Sequence, residues 1–76
     1  MATVLVVDDS PIDRQLVGGL LRQDTDWVVD FAEDGARALE RLRALPPDLV
    51  VTDLQMPGMS GLELVAAIRK GFAELS

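Results

Sequence analysis

The apolar residues of this chain change period repeatedly, and that switching constrains its fold more than any other feature. Thr3 to Val7 is a run rich in β-branched residues without alternation, which suits a strand covered on both faces, as in a parallel sheet. Ser10-Pro11-Ile12-Asp13 then reads as a helix start, with Ser10 as N-cap, Pro11 at the first helical position and an acid at N3. Ile12, Leu16 and Leu20, with Val17 and Leu21, form a stripe at helical spacing. Gly18-Gly19 inside that stripe costs about 1 kcal/mol per glycine, so the helix is expected to pack close to its sheet there.

The same alternation continues along the chain. Asp24-Thr25-Asp26 is a polar break, Trp27 to Ala32 is a second short strand, and Glu33-Asp34-Gly35 closes it. A second helix follows with Ala38, Leu39, Leu42 and Leu45 on one face and Arg37, Glu40, Arg41 and Arg43 on the other, until Pro46-Pro47 stops it. Leu49 to Thr52 is a third apolar strand ending at Asp53, and Leu62 to about Phe72 makes a third helix. Between them Met56, Pro57, Gly58, Met59 and Gly61 shape a loop, with glycine supplying unusual backbone angles. Met56 and Met59 read as core filler, and Trp27 and Phe31 as sheet-packing residues. Arg37, Arg41, Arg43, Arg69 and Lys70 read as solvated helix faces.

The order β-α-β-α-β-α with short helices between buried strands means an α/β class protein with a parallel sheet. Right-handed crossovers allow strand 2 on one side of strand 1 and strand 3 on the other. In that arrangement helix 1 covers one face and helices 2 and 3 the opposite one, giving a doubly wound sheet in the order 2-1-3. Strand 1 is then central, and the topological switch point, where ligands bind in such sheets, falls between strands 1 and 3.

Composition sets the outer limits. Seventy-six residues make one domain, 1–76, and 49% apolar content argues against disorder. The absence of cysteine and histidine excludes disulfide staples, zinc fingers, a Cys or His nucleophile and a histidine general base. A net charge of −6 disfavours non-specific binding to nucleic acid or anionic membranes through this segment. The run Val4 to Val7 is far short of the roughly 20 residues that span a bilayer, and it ends in two aspartates where a signal peptide would have small residues. A cytoplasmic location is the default expectation.

Asp8 and Asp9 fall at the carboxyl end of strand 1 and Asp53 at the carboxyl end of strand 3. With those strands adjacent, three carboxylates converge and repel unless a counter-charge joins them. A hard divalent cation is the obvious remedy, and carboxylate oxygens with a backbone carbonyl and waters suit Mg²⁺. Each aspartate taken alone could also be a strand terminator, since Asp is common in turns.

Val4-Leu5-Val6-Val7-Asp8-Asp9-Ser10 and Pro47-Asp48-Leu49-Val50-Val51-Thr52-Asp53-Leu54-Gln55-Met56-Pro57-Gly58-Met59-Ser60-Gly61 resemble the receiver domain of two-component response regulators. Glu33-Asp34-Gly35 followed by Ala38-Leu39 is similar to the second strand-to-helix junction of that family, so the likeness runs over essentially the whole chain. It implies a flavodoxin-like fold and a role in phosphorelay signalling. Asp53 matches the aspartate that accepts a phosphoryl group from a histidine kinase or phosphotransfer protein. Asp9 and Asp53 match carboxylates that bind Mg²⁺, with Asp8 in the acidic pocket and Gln55 contributing its backbone carbonyl.

The resemblance also implies two strands more than the chain supplies. In the family, a Ser or Thr ends strand 4 and couples phosphorylation to rearrangement, and a Lys ending strand 5 contacts the phosphoryl group. Neither Thr52 nor Lys70 is assigned to these roles. The chain is therefore expected to be the N-terminal part of a receiver, incomplete after its third βα unit, with weak acceptor chemistry and no enzymatic turnover. Strand 3 has a central strand's sequence on an edge, which predicts self-association there or domain swapping. Two other classes remain open. A phosphatase forming its own aspartyl-phosphate needs an Asp-x-Asp spacing, whereas here the acids are adjacent. A non-signalling assembly module would keep the scaffold alone.

Overall fold

A computed structural model of the chain describes residues 2–23 and 26–71. The elements run β1 (Ala2–Val7), α1 (Pro11–Gln23), β2 (Trp27–Ala32), α2 (Gly35–Ala44), β3 (Leu49–Thr52) and α3 (Gly61–Gly71). Asp24, Thr25 and Phe72, assigned above to a break and a helix end, lie outside the described residues. The sheet is parallel throughout, in the order β2-β1-β3, with Val4 opposite both Val29 and Leu49.

Strand alternation sorts the core onto two faces. Leu5 and Val7 point to one side, where they join Ala32, Ala38, Leu42, Met56 and Leu64 in a single buried cluster beneath α2 and α3. Val4 and Val6, also fully buried, point to the other side together with their register partners Val29 and Phe31, beneath α1. Burying each Leu or Val here is worth about 1.5–3 kcal/mol. Met56 and Met59 are core residues as expected, the first buried and the second packed against the cluster.

The α1 reading needs correction. Ser10 does cap the helix, its Oγ accepting the Asp13 N–H at 3.3 Å. Ile12, Leu16 and Leu20, however, are 70%, 61% and 67% exposed, while Val17, Leu21 and Arg14 are half-buried and Gly18 is buried. At 100° per residue the set 14, 17, 18, 21 lies roughly 150° around the helix from the set 12, 16, 20. The five apolar residues therefore belong to two faces, and the face on the sheet is centred on a glycine. A Cβ on Gly18 would lie 2.6 Å from the Phe31 ring, which is the close approach expected there. Gly19 has nothing within 4 Å and takes no part in it.

Two smaller corrections concern α2 and the loop. Leu45 is 76% exposed because it is the C-cap, with φ −153° and ψ 96°, so its side chain leaves the buried face of Ala38 and Leu42. Gly58 has the unusual angle expected of it, φ +81°, whereas Gly61 does not. Gly61 opens α3 and is needed for space instead: a Cβ there would meet the Asp53 carbonyl oxygen at 2.0 Å.

Candidate functional site

The carboxyl ends of β1 and β3 are joined by main-chain hydrogen bonds that continue past the regular ladder. The Asp53 N–H donates to the Val7 carbonyl at 2.9 Å, and the Asp8 N–H donates to the Ala32 carbonyl at 3.1 Å. Each aspartate is thus anchored by its own backbone to the neighbouring strand. Asp8 follows the buried run Val4 to Val7, and Asp53 follows the half-buried Val50, Val51 and Thr52.

Three carboxylates meet there. Oxygen atoms of Asp8, Asp9 and Asp53 all lie within 4.8 Å of one another. Asp8 is only 9% exposed, Asp53 is half-buried and Asp9 is exposed. The Asp8 Oδ1 accepts the Ser10 N–H at 3.0 Å, a local turn that leads into α1. The Asp53 Oδ1 accepts the Gln55 N–H at a long 3.4 Å. Gln55, on an exposed loop, is thus tied to Asp53 by its main-chain N–H.

The loop after Asp53 is held from both ends. Gly61 donates its N–H to the Leu54 carbonyl at 3.0 Å, bringing the start of α3 against the Asp53–Leu54 backbone. Ser60 and Glu63 form a reciprocal capping box on α3, with both bonds at 3.2 Å. The Ser-x-x-Glu spacing carries that signal plainly in the sequence. Met59 packs on Gly35, where a Cβ would lie 2.7 Å from its sulfur, tying the loop to the start of α2.

The donor set fits a hard divalent cation: it is all oxygen and anionic, and among the described residues no ion pair neutralises it. Among the described residues the ion pairs are Arg37 with Glu33 and Asp34, and Arg41 with Asp30, none of which touches the cluster. The Arg14 Nη1 donates to the Asp8 main-chain carbonyl at 2.7 Å. Arg14 carries no signal in the sequence, because the side of α1 that meets the sheet is not the side marked by Ile12, Leu16 and Leu20.

Fold and site together define a doubly wound α/β domain with an acidic pocket at its topological switch point. The sequence profile of the response regulator receiver domain matches residues 4–75, and the chain belongs to that family. Its function class is accordingly two-component phosphorelay signalling. The chain is 52% identical over 67 residues to a protein-glutamate methylesterase/protein-glutamine glutaminase of Nocardioides sp., covering 87% of this chain and 18% of that protein. It superposes on the response regulator TrrA from Thermotoga maritima in complex with Mg²⁺-BeF with a TM-score of 0.91 and 40% identity, over 97% of this chain and 64% of that one. TrrA in complex with the histidine kinase ThkA gives a TM-score of 0.89 at 40% identity, over 97% of this chain and 63% of that one. The chain thus spans under two thirds of these receivers and about a fifth of the methylesterase. Among the described residues no helix is long and apolar enough to cross a membrane.

Proposed function

We propose that the chain acts as a phospho-acceptor in a two-component relay, with Asp53 receiving a phosphoryl group from the phosphohistidine of a histidine kinase or phosphotransfer protein. The observation that carries this reading is the convergence of Asp8, Asp9 and Asp53 within 4.8 Å at the switch point. An Asp53 carboxylate oxygen attacks phosphorus; the O–P bond forms as the P–N bond to the donor imidazole breaks, and the imidazole nitrogen keeps the electron pair and takes up a proton. Asp8, Asp9 and Asp53, with the Gln55 carbonyl, would hold Mg²⁺. When bound, the cation neutralises charge on the transferring phosphoryl oxygens. The role is that of a signalling module in the cytoplasm, not of an enzyme.

Incubation with acetyl phosphate and Mg²⁺ followed by intact mass measurement tests this reading. Gain of one phosphoryl group, absent in Asp53→Asn, is the expected result. No modification, or modification that survives Asp53→Asn, overturns it.

Self-association is a second reading, favoured by the unequal edges of the sheet. β2 carries the Asp30–Arg41 ion pair along it, and the Asp30 carboxylate also holds the Phe31 N–H at 2.9 Å. β3 has no charged side chain between Leu49 and Thr52, and Leu49 is 42% exposed. Charged edges resist pairing and apolar ones invite it. A clean monomer by sedimentation at high micromolar concentration rules this reading out.

A further inference from the structure

We propose that Arg14 is a positioning residue of the acidic pocket: by holding the Asp8 carbonyl, it fixes the Asp8–Asp9 peptide and so the direction from which the Asp9 carboxylate enters the pocket. The inference rests on the cation-binding reading above for its consequence, and on main-chain geometry for its cause. Asp8 is tied at its N–H to Ala32, and its carboxylate accepts the Ser10 N–H in a turn that spans the Asp8–Asp9 peptide. That turn restrains the peptide from the side-chain side and leaves its carbonyl to be held from α1. The Asp9 side chain, exposed, makes no hydrogen bond among the described residues. Its direction is inherited from the peptide before it. Among the described residues that peptide's oxygen accepts its hydrogen bond from the Arg14 Nη1, at a short, charge-assisted 2.7 Å.

Arg14 is itself well held. Its N–H makes the first bond of α1, to the Ser10 carbonyl at 3.0 Å, and its side chain is half-buried on the sheet-facing side of the helix. Glu33 lines the same cleft, along with Phe31 and Ala32, yet no ion pair forms between Glu33 and Arg14. The guanidinium donates to a neutral main-chain acceptor, and no ion pair joins it to a carboxylate among the described residues. That choice distinguishes positioning from charge neutralisation.

The two roles give effects of opposite sign. If Arg14 acted only as a nearby positive charge, removing it would strengthen the attraction of three carboxylates for a cation. If it orients Asp9, removing it weakens cation binding, on the order of tenfold, as losing the group that orients a metal ligand does. The test is Mg²⁺ titration by calorimetry on the full chain and on Arg14→Met and Arg14→Lys. Amide hydrogen exchange of Asp9 and Ser10 is measured by NMR on the same proteins in EDTA. The expected result is a roughly tenfold weaker Mg²⁺ affinity for Arg14→Met, a smaller loss for Arg14→Lys, which can still donate, and faster exchange at Asp9 and Ser10 in metal-free Arg14→Met. Unchanged or tighter Mg²⁺ binding overturns the proposal. Should Arg14→Met not fold, Arg14→Lys decides alone, and affinity equal to that of the unaltered chain overturns it. Should the unaltered chain bind no Mg²⁺, the cation reading fails, while the exchange rates at Asp9 and Ser10 still decide whether Arg14 positions the peptide.

Discussion

Gly61 and Asp53 are in backbone contact so close that no side chain fits between them: a Cβ on Gly61 would lie 2.0 Å from the Asp53 carbonyl oxygen and 2.8 Å from the Leu54 Cα. The first residue of α3 is thereby pressed against the residue at the centre of the acidic cluster. Gly61→Ala is expected to force main chain apart, not a flexible side-chain tip, and to cost about 1–3 kcal/mol, the usual range for overpacking. Urea denaturation reads this directly, and an unchanged midpoint would show that α3 can shift without loss.

The two neighbouring glycines of α1 should respond in opposite directions. Gly19 is exposed with nothing within 4 Å, so Gly19→Ala recovers helix propensity and raises stability by about 0.5–1 kcal/mol. Gly18→Ala recovers the same propensity but drives a methyl group into the Phe31 ring, at a steric cost of about 1–3 kcal/mol that exceeds the gain. A pair of thermal melts is sufficient, and equal shifts would mean that α1 does not rest on Phe31.

Repulsion within the acidic cluster can be isolated at Asp8. Asp8→Asn keeps an oxygen to accept the Ser10 N–H and removes only the charge. In EDTA the variant is expected to be more stable by about 1 kcal/mol, the Coulomb energy of unit charges some 4 Å apart in high dielectric. Added Mg²⁺ should stabilise it less than the unaltered chain, because one ligand charge is gone. A drop in stability in EDTA would mean that the carboxylate does structural work beyond its bond to Ser10.

Leucines at similar helical spacing differ sharply in worth. Leu16→Gln, on the exposed side of α1, is expected to change stability by no more than about 0.5 kcal/mol. Leu64→Ala, fully buried in α3, is expected to cost about 2–5 kcal/mol, enough to unfold much of a chain this small. Far-ultraviolet circular dichroism during urea titration separates the two cases. A large loss at Leu16 would show that something covers this face of α1.

Much of the site could be read before any coordinates. Asp8, Asp9 and Asp53 each follow an apolar run that ends at a strand terminus, and adjacency of two strands suffices to bring them together. The capping box of Ser60 and Glu63 was equally legible, being a local pattern. Arg14 was not, because its partner is a carbonyl, and main-chain acceptors carry no residue identity in a sequence. Gly61 was singled out for the wrong reason: a glycine looks the same whether it supplies a positive φ or vacates space.

The sequence by itself determined the order of elements, the parallel class of the sheet and the carboxylates at strand ends, which follow from periodicity and capping residues. The handedness of crossovers permits β1 in the centre, and the likeness to receivers selects that order. Tertiary structure alone decided which face of α1 meets the sheet. Periodicity marks where apolar residues lie on a helix, whereas contact is won by whatever shape lets two backbones approach. Here a glycine over Phe31 and an arginine reaching the Asp8 carbonyl outweighed a row of three large aliphatic side chains.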